Sequence, residues 1–255
     1  MMKRIESMSY NPFSLSGKTV LITGASSGIG EETAIECSKM GARVIITGRN
    51  QERLQNTFEQ LEGEGHLQVL ADLNVEEDIL RLVDLCPPLD GLVNNAGRGK
   101  SKPVQFIKKE DLQDVFDTNL FGIALLTKFL LKKKKITSGA SLVFTSSIYA
   151  YVSAPGLAIY ASSKAAVTAY MRTCAIELGA KGIRSNAVLP GMVETKLINS
   201  GTYTDEDKQN DLILYPLGRY GVPIDVALAI VYLLSDVSQG DTRSEFVIDG
   251  GRSLR

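Results

Sequence analysis

Tyr160 and Lys164 are the residues whose types and spacing most directly suggest chemistry. They open a predicted helix that ends near Leu178, and residues four apart on a helix lie on the same face. A tyrosine hydroxyl with its ordinary pKa of ~10 is a poor acid–base group at neutral pH, but a nearby ammonium stabilises the phenolate and lowers that pKa. Taken alone, such a pair is more often an amphipathic surface pair than a reactive one.

Ser147 precedes Tyr160 by thirteen residues and follows a predicted strand, Ser141–Thr145. A serine hydroxyl in that place can donate a hydrogen bond to a substrate carbonyl oxygen, which is the stabilisation that an oxyanion hole provides. These side chains act together only if the fold brings them to one place, so the elements that carry them decide the question.

A second candidate site lies in the stretch Lys18–Gly30, where an apolar strand is followed by Gly24, Gly28 and Gly30 and then by a helix. The run Val20–Ile22 predicts a strand buried on both faces of a parallel sheet. Glycines let the backbone turn sharply and approach a ligand, while the free N–H groups and positive dipole of a helix start attract an anion. Three glycines can also form only a tight turn, but their place directly after a buried strand favours a nucleotide site.

Strand and helix patterns alternate along the chain, which predicts βαβ units and a parallel sheet with helices on both faces. The predicted strands are Val20–Ile22, Arg43–Thr47, Leu67–Leu70, Leu89–Val93, Ser141–Thr145, Ile183–Leu189 and Phe246–Ile248. A single long helix is predicted over Lys109–Lys132. Most candidate polar groups follow a strand, at the edge where open parallel sheets bind ligands. The sequence therefore predicts one α/β domain with a cofactor cleft beside a reaction centre.

Composition argues against several other classes of protein. The 255 residues are 44% hydrophobic and 22% charged, as in ordinary globular proteins. A net charge of −1 provides no field that would favour nucleic acid or an anionic membrane as a partner. No apolar run approaches the ~18 residues of a membrane span. Residues 1–13 lack the apolar core of a signal peptide and are interpreted as a flexible extension.

Histidine and cysteine usage argues against metal chemistry. His66 is the only histidine, and Cys37, Cys86 and Cys174 are scattered without the spacing of metal ligands, so we expect no metal site. A sparse, odd set of cysteines suits a reducing compartment, and we expect a cytoplasmic protein.

The combination of motifs resembles the short-chain dehydrogenase/reductase family. The motifs are Thr23–Gly30, Asn94–Gly97, Asn119, Ser147, Tyr160, Lys164 and Pro190–Gly191, and the resemblance extends from about Ser14 to Gly251. It implies a single Rossmann-type, doubly wound domain over residues 14–255, with a seven-stranded parallel sheet in the order 3-2-1-4-5-6-7. It also implies nicotinamide-dependent hydride transfer to or from a carbonyl or alcohol carbon.

The resemblance further implies roles for four catalytic residues. Tyr160 would be the general acid in reduction and the base in oxidation. Lys164 would lower the pKa of Tyr160 and hold the nicotinamide ribose. Ser147 would orient the substrate oxygen, and Asn119 would join a proton relay that reaches Lys164 through a water molecule.

The same resemblance implies how the cofactor lies. Asp72 and Leu73 would meet the adenine, Asn94 to Gly97 the adenosine side, and Val193 and Thr195 the nicotinamide amide. The expected cofactor-binding residues are Gly24, Ser26, Ser27, Gly28, Ile29, Gly30, Arg49, Asn50, Asp72, Leu73, Asn95, Ala96, Gly97, Tyr160, Lys164, Pro190, Gly191, Val193 and Thr195.

The end of the second strand predicts which nicotinamide cofactor binds. A site selective for NAD usually has an acidic residue about 20 residues after the glycines, where it bonds the ribose 2′-hydroxyl. Gly48 occupies that position here, and Arg49 follows it with a guanidinium that suits a 2′-phosphate. We therefore expect NADP(H) as the cofactor. The alternative is that Arg49 is a solvated residue at the following turn.

Several functions stay open at this point. A 3-oxoacyl thioester reductase acting on acyl-carrier-protein substrates is the leading specific alternative, and sugar, polyol and steroid substrates are not distinguished. A non-catalytic NADP-sensing protein belongs to another class, and an interaction scaffold would rest only on Lys132–Lys135 and the N-terminal extension. The polar segment Met192–Tyr215 suits a mobile lid that selects the substrate.

Homo-oligomerisation is also expected from the resemblance. The helices Lys109–Lys132 and Tyr160–Leu178 carry apolar residues around more of their surface than one sheet face would cover. Gly240–Arg243 is more polar than the corresponding segment of the family, so a homodimer and a homotetramer both stay open.

Overall fold

A computed structural model describes residues 10–195 and 205–254, with only the backbone for 205–208. Seven parallel strands form one sheet in the order β3-β2-β1-β4-β5-β6-β7, which confirms the predicted topology. The strands are β1 Thr19–Thr23, β2 Arg43–Gly48, β3 Leu67–Leu70, β4 Leu89–Asn94, β5 Ile136–Thr145, β6 Arg184–Pro190 and β7 Glu245–Ile248. Residues 1–9 of the predicted extension and 196–204 of the predicted lid lie outside the described residues.

Helices cover both faces of the sheet. They are α1 Gly28–Lys39, α2 Gln51–Phe58, α3 Glu76–Leu85, α4 Lys109–Phe116, α5 Gly122–Lys132, α6 Ala158–Leu178, α7 Asp205–Leu212 and α8 Pro223–Leu234. Alternate strand residues point to opposite faces, so Leu21 belongs to a core with α3, α5 and α6, whereas Val20 and Ile22 belong to a second core with α1 and α8. Burial on both faces explains the continuous apolar runs in the sequence.

The segment predicted as one long helix has an interruption. Between α4 and α5, residues Asp117–Phe121 form a π-helical turn that contains Asn119. A π turn inserts an additional residue, and such turns occur often at functional sites. The insertion rotates Asn119 onto the side of the segment that faces the backbone of Arg98, with which its amide group forms two hydrogen bonds. The prediction of a regular helix was therefore wrong at this point.

The turns after β1 and β4 meet at the point where the strand order reverses. The Thr23 hydroxyl accepts hydrogen bonds from the backbone N–H groups of Asn95 and Ala96, each at 3.0 Å. Asn95 Nδ2 donates to the Thr23 carbonyl oxygen at 3.1 Å. A Cβ at Gly30 would lie 2.3 Å from the Gly24 carbonyl oxygen, so only glycine lets α1 approach the turn this closely. This junction is the expected position of a ligand cleft.

Within residues 10–195 and 205–254, no helix is long and apolar enough to cross a membrane.

Candidate active site

An extended cleft of about 800 Å³ runs along the carboxyl ends of the strands. Its volume is near the upper end of the range for ligand sites. The predicted residues in its wall are Gly24, Ser26, Ser27, Gly28, Ile29, Arg49, Asn50, Asp72, Leu73, Asn95, Ala96, Gly97, Ser147, Tyr160, Lys164, Pro190, Gly191, Val193 and Thr195. The fold thus brings the glycine-rich turn, the second-strand end and the Ser–Tyr–Lys set into one cleft.

Three of the residues singled out in the sequence lie outside the cleft wall. Gly30 packs α1 against the turn, as described above. Asn94 is buried, and its Nδ2 lies 3.5 Å from the Thr127 hydroxyl. Asn119 is also buried, behind Arg98. These three residues support the cleft from behind.

The start of α1 provides a binding place for an anion. Ser27 is the N-cap residue, yet its hydroxyl does not bond to the helix, so it leaves both the hydroxyl and the first backbone N–H groups for a ligand. Gly28 and Ile29 continue the same wall. With Gly24 and Gly28 at positive φ, the backbone forms the open curve that a diphosphate requires. The residues present therefore fit a dinucleotide.

Two arginines flank the end of β2. Arg49 Nη1 lies 3.8 Å from Asp72 Oδ2, and the Asp72 carboxylate also accepts a hydrogen bond from the Asn74 N–H at 3.0 Å. Arg53 lines the same part of the cleft and was missed by the sequence analysis. It lies in the first turn of α2, whose Asn50 cap accepts from the Arg53 N–H at 2.9 Å. The helix dipole disfavours a positive charge in the first turn of a helix. The position of Arg53 in the sequence could therefore have indicated an anion-binding site.

Lys164 occupies the opposite end of the cleft and is almost fully buried, with 5% of its surface exposed. Its ammonium donates a hydrogen bond to the Thr145 carbonyl oxygen at 2.7 Å. Burial lowers the pKa of this ammonium to about 8, because a charged group loses hydration in the interior. Lys164 Nζ lies 5.8 Å from the centre of the Tyr160 ring, so the two residues share one face of α6.

Tyr160 has the opposite shift from the one expected. Burial raises the pKa of its phenol, the hydrogen bond with Ser147 opposes that increase, and Tyr149 adds a smaller one. Burial dominates this shift, and the Lys164 ammonium is directed at the Thr145 carbonyl. The net pKa of Tyr160 therefore lies above the ordinary value of a phenol, and the lowering effect of Lys164 stays a prediction.

Ser147 and Tyr149 complete the surroundings of the Tyr160 phenol. The Ser147 hydroxyl shares a hydrogen bond with Tyr160 and accepts another from the Tyr149 N–H at 3.3 Å. The Tyr149 ring packs edge-on against the Tyr160 ring, with the ring centres 6.3 Å apart. Tyr149, which the sequence analysis did not single out, thus limits the orientation of Tyr160.

The Asn119 side chain bonds to the loop after β4 and to α6. Its Oδ1 accepts from the Arg98 N–H at 2.7 Å, and its Nδ2 donates to the Arg98 carbonyl and to the Ser163 hydroxyl, each at 3.0 Å. Gly97 lies between Asn119 and Lys164, because a Cβ there would be 3.3 Å from both Asn119 Oδ1 and Lys164 Nζ. The amide thus fixes the loop after β4 against α6.

The two ends of the predicted lid are fastened beside the cleft. Val193 forms a parallel bridge with Gly221, and the Glu194 N–H donates to the Gly221 carbonyl at 2.8 Å. The Tyr215 hydroxyl accepts a hydrogen bond from the Met192 N–H at 3.2 Å. The segment therefore leaves and rejoins the domain at neighbouring points.

Comparisons with known proteins agree with this geometry. Residues 24–253 match the family described as Enoyl-(Acyl carrier protein) reductase. The chain is 35% identical to 3-oxoacyl-(acyl-carrier-protein) reductase FabG of Rickettsia felis, over 93% of this chain and 97% of that protein. It is 34% identical to glucose 1-dehydrogenase of Gluconobacter oxydans, over 93% of this chain and 92% of the relative.

A solved structure shows the same architecture. The crystal structure of a putative short-chain alcohol dehydrogenase from Sinorhizobium meliloti superimposes with a TM-score of 0.89 at 30% identity, and covers 96% of this chain and 99% of that one. The chain belongs to the short-chain dehydrogenase/reductase family. It is thus an oxidoreductase whose class uses a nicotinamide nucleotide.

The lowered pKa of Lys164 predicts a pH dependence of stability. Below a pH of about 8 the folded state carries a costly buried charge, and between about 8 and the ordinary value of 10.5 the unfolded state binds more protons. Stability from this group therefore rises with pH in that window. Lys164→Met removes this titrating group. Above pH 8 the free energy of unfolding of the wild type should therefore rise relative to that of the variant by up to about 1.4 kcal/mol per pH unit.

Urea unfolding at a series of pH values would measure this difference. Lys181→Met, at an exposed lysine, is the matched control and should differ from the wild type by the same amount at every pH. A difference between Lys164→Met and the wild type that does not change with pH would contradict the assignment.

Proposed function

We propose that this protein is an NADP(H)-dependent oxidoreductase that transfers a hydride between the nicotinamide and a carbonyl or secondary alcohol carbon. The observation that carries the proposal is the hydrogen-bonded pair of Ser147 and Tyr160 hydroxyls beside the buried Lys164, at one end of a cleft whose other parts fit a dinucleotide. Each of these groups has a defined task in such a reaction.

The chemistry of reduction requires a hydride at the carbonyl carbon and a proton at its oxygen. The cofactor, when bound, supplies the hydride. Tyr160 gives the phenolic proton to the carbonyl oxygen, and in oxidation it takes the proton back. Ser147 donates a hydrogen bond to the same oxygen and stabilises the charge that develops there.

Lys164 and Asn119 support this proton transfer. Because the Lys164 ammonium is buried and directed at the Thr145 carbonyl, it provides a fixed positive charge near the phenol as negative charge develops on it. Asn119 fixes the loop that packs beside the lysine. We propose that Asn119 joins a proton relay that reaches Lys164 through a water molecule, as the family resemblance implies, and that its hydrogen bonds to Arg98 and Ser163 hold it in place.

The preference for NADP(H) over NAD(H) is supported by the second-strand end. No carboxylate stands at Gly48, while Arg49 and Arg53 both line the cleft there. Asp72 lies 3.8 Å from Arg49 and partly compensates its charge, whereas no ion-pair partner of Arg53 lies among the described residues. Two guanidinium groups at the start of α2 favour a 2′-phosphate.

Two alternatives are tested by simple assays. A 3-oxoacyl thioester reductase specifically would act on acyl-carrier-protein substrates, as the name of the Rickettsia relative indicates for that protein. A panel of thioester, sugar and cyclic ketone substrates with NADPH separates this activity from the others. A non-catalytic NADP-sensing protein would bind the nucleotide without oxidising it in the presence of any ketone in the panel.

We also propose a homo-oligomer that works in the cytoplasm. The outward sides of the α4–α5 segment and of α6 expose large apolar residues, with Phe121 51% and Ile176 75% exposed. Such residues, spread along neighbouring helices, suit contact with a second copy of the chain. The cytoplasmic location is supported by Cys37, Cys86 and Cys174, which are all free and buried.

Replacement of Tyr160 by Phe should abolish most turnover, because it removes the hydroxyl that transfers the proton. We expect kcat to fall by roughly 10²–10⁴-fold while NADPH binding stays within a few-fold. The matched control is Tyr170→Phe, a tyrosine of the same helix whose hydroxyl lies 3.4 Å from the Ala124 carbonyl, away from the cleft. Steady-state kinetics and fluorescence titration measure both effects, and a Tyr160→Phe enzyme with more than a tenth of the wild-type kcat would rule out the assignment.

Loss of either arginine at the end of β2 should weaken NADPH binding selectively. A hydrogen bond to a charged group contributes ~1.5–3 kcal/mol, which corresponds to about 10- to 150-fold in kcat/KM. Arg49→Ala and Arg53→Gln should approach this range with NADPH and leave NADH nearly unchanged. The control is Arg43→Gln at the opposite end of the same strand.

Gly48→Asp should reverse the preference, because it adds an acceptor for the ribose diol and repels a phosphate. The new Cβ would lie 3.2 Å from Ser26 Oγ, so a small shift of that serine must accompany it. Equal kcat/KM for the two cofactors in the wild type, or a preference for NADH, would contradict NADP(H) selectivity.

Sedimentation velocity at micromolar concentration tests the oligomer. We expect a dimer or larger species for the wild type, and partial dissociation for Ile176→Asp, because the substitution places a charge in the proposed contact. Val104→Asp is the control, since Val104 is 71% exposed but lies outside these helices. A monomeric wild type would show that these faces serve another purpose.

A further inference from the structure

Three basic residues of the loop after β4 form ion pairs with two carboxylates of α4. Arg98 Nη1 lies 2.5 Å from Asp114 Oδ1, Lys100 Nζ lies 2.7 Å from Asp111 Oδ1, and Lys102 Nζ lies 2.5 Å from Asp111 Oδ2. Lys100 Nζ also lies 3.6 Å from Asp114 Oδ2 and so connects the two carboxylates. We call these five residues the carboxylate clamp.

Asp111 is the central member of the clamp. Its side chain is only 10% exposed, yet it receives Lys100, Lys102 and the backbone N–H of Lys108. These hydrogen bonds hold the pKa of the carboxyl well below its usual range, so the group stays charged near neutral pH. A carboxylate with so little exposure would be destabilising if its cationic partners left.

The clamped loop forms part of the cleft and contacts the reactive helix through Asn119. Arg98 and Gly99 line the cleft wall. The backbone N–H and carbonyl of Arg98 are both hydrogen-bonded to the Asn119 amide. Asn119 also donates to the Ser163 hydroxyl, which in turn donates to the Tyr160 carbonyl at 2.7 Å. A continuous series of contacts therefore joins Asp114 to the backbone of the proposed proton donor.

The π turn makes this connection possible. Asp111 and Asp114 are one turn apart on α4 and face the loop, and the inserted residue of the turn brings Asn119 to the same loop. A regular helix would direct Asn119 elsewhere, because each residue is rotated by about 100° from the one before it. The side chains of Arg98, Lys100 and Lys102 and the backbone of Arg98 are thus held by one continuous segment.

We propose that Asp111 and Asp114 are positioning residues for the reaction: through their ion pairs they hold Arg98 on Asn119, and thereby keep the reactive helix in the geometry that proton transfer requires. The inference rests on the proposed function of Tyr160. Neither carboxylate touches the substrate or the cofactor in this role; both act through the loop.

Electrostatics gives the clamp a property that apolar packing lacks. Side chains of Arg98, Lys100 and Lys102 are 39%, 34% and 27% exposed, so salt screens their attraction to the carboxylates in part. The loop should therefore loosen as ionic strength rises, while the apolar cores beneath the sheet should not. Dependence on salt separates a positioning clamp from an ordinary part of the core.

The test uses the full chain with Asp111→Asn, Asp114→Asn and the double variant. Asparagine keeps an oxygen that can accept the Lys108 N–H bond, so α4 retains its cap while the charge is lost. Asp84→Asn is the matched control, because Asp84 pairs with Lys133 on the surface far from the loop. Asp111→Glu, which keeps the charge, tests rescue.

Hydrogen exchange of the peptide spanning residues 97–106 is the first readout. We expect exchange in the double variant to be faster by on the order of tenfold, with the Arg98 amide affected most, and no change in Asp84→Asn. The wild type at high ionic strength should show part of the same effect, and this measurement needs no variant to fold. Unchanged exchange in both the double variant and the high-salt wild type would overturn the clamp.

Turnover at saturating NADPH, with a ketone that the wild type reduces, is the second readout. We expect kcat of the double variant to fall several-fold at low ionic strength and to lose most of the salt dependence of the wild type. In Asp111→Glu, which keeps the charge, kcat should stay near the wild-type value. Faster exchange with unchanged kcat would overturn the positioning role. A wild type that reduces no ketone would contradict the proposed function, whereas the exchange experiment would still decide whether the carboxylates hold the loop.

Discussion

The buried ammonium of Lys164 is the constraint on which the rest of the site depends. A cation with 5% exposure is tolerated only where fixed partners replace its hydration, and the Thr145 carbonyl is the partner that the fold supplies. That carbonyl lies at the last residue of β5, so the lysine must reach it from α6 along the edge of the sheet. Tyr160, one turn earlier on α6, is then placed beside Ser147, which follows the same strand. The position of the Tyr160 phenol thus follows from the need to satisfy one buried charge.

The sheet topology could be predicted because apolar strands leave a clear pattern. Runs such as Val20–Ile22 are continuous since both faces of the sheet are covered, and the glycines that follow allow the close contact observed between Gly24 and Gly30. The edge of the sheet that holds the cleft was predicted on the same basis, because side chains at the carboxyl ends of parallel strands share one edge. Individual residues of the cleft, such as Val193 and Thr195, were expected from the family resemblance. Strand limits were less accurate: β5 begins at Ile136 instead of Ser141, where its pairing with β4 shifts register.

Two features of the site could not be predicted from residue types, and a third left a signal that was missed. The π turn at Asn119 depends on the competition between helix bonds and the Arg98 backbone, and hydrophobic periodicity does not reveal one inserted residue. The raised pKa of Tyr160 depends on how completely the fold buries the ring, which the Tyr–Lys spacing does not report. Arg53 was missed because it lies in the first turn of α2, beyond the strand end that indicated the choice of cofactor.

The paired ends of the segment between Met192 and Gly221 have an evolutionary consequence. Because the bridge of Val193 with Gly221 closes this segment on itself, its interior can change in length or sequence without moving β5 and α6, which position Ser147, Tyr160 and Lys164. The entropic cost of a longer closed loop grows slowly, by only about 0.6 kcal/mol for each doubling of its length. Mutation can therefore exchange one sequence for another in this segment while the stability of the sheet is preserved. The fold separates the part of the protein that is free to diverge from the part that must stay fixed.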